Sequence, residues 1–217
     1  MGLIAIGDVH GCSRSLGALL KKLNPGADDE LIFIGDYIDR GPDSRGVIDR
    51  LITLQEQTNC RFLKGNHEEL FLDYIDNDSY DLWAMNGGIA TMTSYTESNG
   101  VHFPDEHIQF MRDSELYVET EEFFFVHAGL KPDLTVEENK KQNDPQIFLW
   151  ERSHLKAAAL SWEKTVVCGH TPQPKVTNKE RLINIDTGCV FYTHPSMGFL
   201  TAVRLPEREF IAVPYLG

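Results

Sequence analysis

An α/β sandwich is predicted for this 217-residue chain by two observations: short apolar runs that each stop in a glycine-containing polar cluster, and amphipathic helical stretches between the first of them. Leu3-Ile4-Ala5-Ile6 leads into Gly7-Asp8, and Leu31-Ile32-Phe33-Ile34 into Gly35-Asp36. The same shape recurs at Arg61-Phe62-Leu63 before Gly65-Asn66-His67, at Phe123 to Val126 before His127-Ala128-Gly129, and at Val166-Val167-Cys168 before Gly169-His170. Such near-continuous apolar runs read as buried strands. Leu16, Leu19, Leu20 and Leu23 fall at helical spacing after Ser13, the expected N-cap, with Pro25-Gly26 as the stop. Val47, Ile48, Leu51 and Ile52 repeat that pattern before the third run. In sheets built this way ligands gather at the carboxyl ends of the strands, where all five polar clusters lie.

From about Asp76 to Glu119 the pattern becomes polar with scattered aromatics (Trp83, Gly87-Gly88, Tyr95), which predicts a mostly helical insertion beside the site. Phe199 to Leu205 and Phe210 to Val213, with Pro206-Glu207-Arg208 as the turn, predict a closing hairpin. No linker, repeat or low-complexity run interrupts the chain, so residues 1–217 read as a single domain.

With 41% hydrophobic and 24% charged residues the composition is that of an ordinary globular domain. The formal net charge of −13 disfavours a nucleic-acid polymer as partner, because backbone binding needs a basic surface. No apolar run is long enough for a bilayer, and no basic segment precedes an apolar one at the N-terminus, so the expectation is a cytoplasmic protein without membrane attachment. Cys12, Cys60, Cys168 and Cys189 are widely spaced, which predicts free thiols.

Asp8 and His10 are two residues apart, so in an extended segment both side chains leave on one side. Asp36, Asn66, His127 and His170 each follow an apolar run, and the fold should deliver them to the same rim. Two carboxylates, one amide oxygen and three imidazoles suit Mn²⁺, Fe or Zn²⁺ better than Ca²⁺ or a thiolate zinc site. Six ligands exceed what one catalytic ion with open positions needs. Two divalent metal ions about 3.5–4 Å apart, sharing one Asp, would accommodate them; spacing leaves open which Asp is shared.

The blocks Gly7-Asp8-Val9-His10-Gly11, Gly35-Asp36-Tyr37-Ile38-Asp39-Arg40-Gly41, Gly65-Asn66-His67-Glu68, His127-Ala128-Gly129 and Gly169-His170-Thr171 resemble, in order and approximate spacing, the signature of the phosphoprotein phosphatases among the calcineurin-like metallophosphoesterases. The small bacterial and bacteriophage lambda type of serine/threonine phosphatase has a similar length. The resemblance implies a four-layer α/β/β/α arrangement with a central β-sandwich and a helical insertion. It also implies that Asp8, His10 and Asp36 hold one metal, and Asp36, Asn66, His127 and His170 the other, Mn²⁺ being the expected ion. A hydroxide shared by the metals would then attack phosphorus in line, since coordination lowers the pKa of bound water to about 7. His67 would protonate the leaving oxygen, oriented by Asp39, and Arg40 and Arg152 would clamp the phosphate with their planar forks. Lys64 stands where many relatives carry Arg before Gly-Asn-His, which keeps the charge and loses the fork.

His102, His107, His154 and His194 lie outside the blocks and read as structural or solvent-exposed, Asp186 as a turn residue close to the metals, and Trp83, Asn86 and Tyr95 as packing near a substrate groove. The expected activity is phosphomonoester hydrolysis, with phosphoserine and phosphothreonine proteins or small phosphate esters as substrates. The enzymatic alternative is a symmetrical diadenosine tetraphosphate hydrolase, whose members are typically longer and tend to lack the Asp seen at Asp39. A non-catalytic phosphate-binding module is disfavoured by the complete ligand set.

Overall fold

The structure, a computed structural model, describes residues 2–217. In chain order the elements are β1 (Leu3–Ile6), α1 (Ser13–Leu23), β2 (Glu30–Phe33), α2 (Ser44–Gln55), β3 (Asn59–Phe62), α3 (Asn66–Asn77), α4 (Tyr80–Trp83), a π-helical turn (Ala84–Gly88), α5 (Ile89–Ser94), β4 (Thr96–Glu97), β5 (Gly100–Val101), α6 (Asp105–Asp113), β6 (Tyr117–Glu119) and β7 (Phe123–Val126). There follow α7 (Val136–Lys141), α8 (Pro145–Trp150), β8 (Thr165–Cys168), β9 (Thr177–Asn178), β10 (Leu182–Asn184), β11 (Asp186–Thr187), β12 (Phe199–Leu205) and β13 (Glu209–Pro214).

Two sheets form the centre. In one, β3, β2 and β1 run parallel and β1 meets β12 antiparallel; β6, β7, β8, β10 and β9 make the other. Alternate residues explain why the strands are apolar throughout. Ala5, Ile32, Ile34 and Val203 from the first sheet pack on Phe123, Phe125, Val167 and Ile183 from the second, forming the inner core. Ile4, Ile6, Leu31 and Phe33 face the other way, onto Leu16, Leu19 and Leu23 of α1 and Val47, Ile48 and Leu51 of α2. Phe124, Val126, Val166 and Cys168 face Val136, Ile147, Phe148 and Trp162. Helix, sheet, sheet and helix thus stack in the four-layer order.

The edges of β12 matter for the site. All of Phe199–Arg204 pairs with β13 on one edge, so β1 and β11 share the other. β1 takes Ala202 to Leu205 and β11 takes Phe199 and Leu200. β11 therefore occupies the place that β1 vacates as it turns into Gly7-Asp8.

All five expected strands are present, with bounds shifted by a residue or two, and the closing hairpin is β12–β13. α1 differs: Ser13 is its first helical residue and Cys12 its cap, without a side-chain cap. The turn closed by Cys12 N–H to the Val9 carbonyl, 3.1 Å, already directs the chain into the helix. α2 is capped by Asp43, which accepts from Gly46 N–H at 3.0 Å. The segment expected as a helical insertion is helical only in part. It contains α4, the π turn, α5 and α6, but also the β4–β5 hairpin, and its end, Tyr117–Glu119, is β6, paired with β7. Alternating burial of Tyr117, Val118 and Glu119 fits a strand, a pattern too short to stand out in the sequence. All four cysteines are free thiols. Among the described residues no helix is long and apolar enough to cross a membrane.

Gly35 joins β2 to the site at φ +99°, and a Cβ there would stand 2.6 Å from Gly65 N and 2.9 Å from His127 Nδ1. Gly35→Ala should therefore lower stability by about 1–3 kcal/mol from backbone strain alone, more with the clash; urea unfolding followed by circular dichroism measures it.

Candidate active site

Asp36 lies at the hub. Its Oδ2 is 3.3 Å from His10 Nε2 and its Oδ1 is 3.4 Å from His127 Nε2. Around His127 Nε2 gather Asn66 Oδ1 at 3.0 Å and His170 Nδ1 at 3.1 Å, and the latter two atoms are 2.7 Å apart. Asp8 Oδ2 accepts the His170 backbone N–H at 2.9 Å. All six expected metal-ligating residues, from five separate strand ends, are therefore brought together, and all six are buried. Two sets of ligand atoms are close enough to hold an ion, His10 with Asp36 and His67, and Asp36 with His127 and His170; Asp36 belongs to both.

The chemistry of these contacts fits a cation. His127 Nδ1 lies 2.8 Å from the Ile34 carbonyl and His10 Nδ1 lies 2.9 Å from that of Ile38. A carbonyl only accepts, so both Nδ1 atoms carry the proton and both neutral rings present an Nε2 lone pair to Asp36. Burial pushes the pKa of His10 and of His127 down, and takes that of His170 to about 2 with help from its neighbour His127, which keeps the rings in the neutral, ligating form. Lone pairs of two rings, an amide oxygen and a carboxylate thus converge in one buried space, a mixed nitrogen and oxygen donor set. Asp8 Oδ1, also buried, has no hydrogen-bond partner among the described residues. Both observations are met by divalent ions.

The backbone is bent to make this arrangement. His10, Asp36, Asp39, Arg40 and His170 all have φ between 45° and 70°, a region costly for residues with a Cβ and concentrated at functional sites. Glu68, whose part the sequence did not reveal, holds one of these turns. Buried in the first turn of α3, it accepts from the backbone N–H groups of Asp36 (2.8 Å), Tyr37 (2.8 Å), Ile38 (3.3 Å) and Gly65 (2.9 Å). A glutamate three residues past a helix cap was the one signal available. Burial, then the charge of Asp36, lifts its pKa to about 7.

Beside the hub, His67 Nδ1 lies 2.8 Å from Asp39 Oδ2, with both side chains buried, and the His67 ring meets that of His10 edge-on at 4.6 Å. Burial alone would lower the His67 pKa, but Asp36 and the hydrogen-bonded Asp39 outweigh it and leave the ring above the ordinary histidine value. Two residues of the insertion complete this dyad: Trp83 Nε1 donates to both Asp39 oxygens at 3.1 and 3.0 Å, and Thr91 Oγ1 donates to Asp39 Oδ1 at 2.6 Å. Trp83, expected as packing, is thus buried against aromatic neighbours and also fixes Asp39.

Arg40 and Arg152 each reach one histidine of the cluster. Arg40 NH1 donates to His10 Nε2 at 3.1 Å, its backbone N–H bonds the Gly87 carbonyl at 3.2 Å, and its guanidinium lies 5.5 Å above the Phe191 ring. Arg152 Nε donates to His170 Nε2 at 2.9 Å. Lys64 is not brought in: its ammonium donates to the Arg112 carbonyl at 3.4 Å. Of the remaining histidines, His107 is buried against Tyr95 Oη at 2.7 Å, His154 is buried, and His102 and His194 are exposed. Asp186 accepts from Gly188 N–H at 2.9 Å, as a turn residue would.

A description of calcineurin-like phosphoesterases matches residues 1–194. The chain belongs to that family. It is a metallophosphoesterase, an enzyme, and its relatives extend the comparison. Proteins named bis(5'-nucleosyl)-tetraphosphatase PrpE (asymmetrical) from Anoxybacillus flavithermus and Oceanobacillus iheyensis are 28% and 30% identical, over 96% and 98% of this chain and 92% of each relative. A crystal structure of a protein proposed to be a diadenosine tetraphosphatase has a TM-score of 0.73 at 23% identity, covering 100% of this chain and 94% of that one. A protein serine/threonine phosphatase from Saccharomyces cerevisiae has a TM-score of 0.63 at 15% identity, covering 100% of this chain and 80% of the other. Both structural likenesses establish the shared fold.

Trp83→Phe keeps the ring packing and removes the Nε1 donor to Asp39. Turnover of p-nitrophenyl phosphate should fall about tenfold, the range for lost outer hydrogen bonds at such sites, while metal content by elemental analysis stays unchanged.

Proposed function

We propose that this chain hydrolyses dinucleoside tetraphosphates asymmetrically, releasing a nucleoside monophosphate and a nucleoside triphosphate. The observation that carries the reading is the near full-length similarity to the PrpE tetraphosphatases, which displaces protein dephosphorylation from first place. The surroundings of Arg40 support it. The guanidinium lies over the Phe191 ring and its Nε donates to the Asn86 carbonyl of the insertion at 3.4 Å, the Arg40 backbone N–H bonds the Gly87 carbonyl, and Met85 and Ile89 of that insertion stand 85% and 51% exposed. A phosphate-binding group bordered by apolar and aromatic surface suits a substrate that joins polyphosphate to nucleobases.

In this reading Asp8, His10 and Asp36 would hold one divalent ion, Mn²⁺ by expectation, and Asp36, Asn66, His127 and His170 would hold the second. When bound, such a pair neutralises charge on the reacting phosphate and lowers the pKa of coordinated water. Arg40 and Arg152 bind phosphoryl oxygens, and their forks fix the orientation needed for in-line displacement. His67, held above its ordinary pKa, carries a proton on Nε2 for the departing oxygen, while Asp39, Trp83 and Thr91 hold the ring in place. Water attacks a terminal nucleotide phosphorus and gives up a proton to solvent, the P–O bond of the anhydride breaks, and the triphosphate leaves with the bridging oxygen, to which His67 can give its proton.

Serine/threonine phosphoester hydrolysis is the second reading, favoured by the buried Asp39–His67 dyad. An alkoxide leaving group is far more basic than a polyphosphate and needs a proton donor more. Incubating the manganese-loaded enzyme with diadenosine tetraphosphate should give AMP and ATP by ion-exchange chromatography, at a kcat/KM well above that for phosphoserine peptides. Two ADP as product, or a preference for the peptides, would overturn the proposal. His67→Gln should slow phosphoserine hydrolysis by about 10²–10⁴ and tetraphosphate cleavage much less.

A further inference from the structure

Asp186 is the buried carboxylate beside the site that the six ligands, the dyad and the arginines leave without a task. Its position follows from the division of the β12 edge: β11 continues that edge where β1 departs, and the Ile185 carbonyl lies 2.8 Å from where a Gly7 Cβ would be. The segment 184–187 crosses between the sheets, with Ile185 N–H bonding the Cys168 carbonyl at 3.0 Å and Asp186 pairing with Leu200. Asp186 is thereby set at the carboxyl end of β1, next to Asp8. Burial, then the charges of Asp186 and Asp36, push the Asp8 carboxyl above the usual carboxylate range.

Three carboxylates, Asp8, Asp36 and Asp186, are therefore buried together. Among the described residues none of them makes a salt bridge to a lysine or arginine; the only partners are His10 and His127, on Asp36. The turn bond to Gly188 occupies Asp186 Oδ1 and accounts for the shape of the loop, but a serine or asparagine would serve as well. A charged group at a buried turn is costly unless a cation offsets it. Asp8 Oδ1, buried and without a partner, marks where positive charge is called for.

We propose that Asp186 is a positioning and charge-supplying carboxylate for the metal position formed by Asp8, His10 and Asp36. It raises the affinity of that position for a divalent cation and leaves the other position, formed with Asn66, His127 and His170, little changed. The proposal rests on the two-ion reading of the site and is independent of the substrate.

Asp186→Asn tests it, because the amide oxygen still accepts from Gly188 N–H and the volume is unchanged. Mn²⁺ titration by calorimetry, with free Mn²⁺ followed by electron paramagnetic resonance, should show one of the two wild-type sites weakened about 10–100-fold and the other within about threefold of the wild type. In chelator the variant should melt no lower than the wild type, since a repulsive charge is gone and the turn bond kept. Unchanged Mn²⁺ affinity at both sites, or a lower melting temperature in chelator with unchanged affinity, would leave Asp186 a turn residue and overturn the proposal. If the asparagine variant does not fold, Asp186→Ser, which also accepts from Gly188, takes its place under the same criteria. Failure of the wild type to bind two ions would instead overturn the reading of the whole site.

Discussion

The convergence of unshared electron pairs on Asp36 is the constraint around which this molecule is built. Two imidazole lone pairs, fixed by hydrogen bonds from Nδ1 to the carbonyls of Ile34 and Ile38, meet a carboxylate and an amide oxygen in a buried space. Such a cluster repels itself unless positive charge is supplied. Divalent ions supply it, and the same ions provide the Lewis acidity that hydrolysis of a phosphate ester or anhydride requires. Stability and chemistry thus call for the same partner.

The scaffold supports this cluster by rigidity. Two sheets with apolar residues on both faces end in loops whose backbone is held at positive φ, and each such residue carries a strain of about 1–3 kcal/mol. Glu68 gathers four backbone N–H groups from two loops and binds the turn at Asp36 to the start of α3. Trp83 and Thr91 do the same for Asp39 from the insertion. The insertion is therefore part of the site, because it holds Asp39, the hydrogen-bond partner of His67, and its Asn86 and Gly87 carbonyls accept from Arg40.

The hub was legible in the sequence because an Asp, Asn or His directly after an apolar run is carried to the end of a strand, and strand ends lie close together in such sheets. Asp8, His10, Asp36, Asn66, His127 and His170 all obeyed that rule. Contacts between distant segments did not announce themselves. Trp83 reaches Asp39 across 44 positions and Glu68 reaches Tyr37 across 31, and no local pattern distinguishes such a tryptophan from one in a core. Lys64 stands beside Gly65 at the site, yet its ammonium turns to the Arg112 carbonyl. β6 was hidden inside the insertion because three residues are too few to display an alternation. Substrate preference was least legible. Asp39 favoured protein phosphatases, yet relatives similar over nearly the full chain are named tetraphosphatases.

The most direct measurement of the central claim, that Asp36 joins two metal positions, is the stoichiometry of Mn²⁺ binding by Asp36→Asn beside the wild type. The wild type should bind two ions, with thermal unfolding raised by saturating Mn²⁺, by about 2.7 kcal/mol at a hundredfold excess over Kd for each site. The variant should lose tight binding at both positions together, because one side chain serves both. Retention of one ion at wild-type affinity would contradict a shared Asp36.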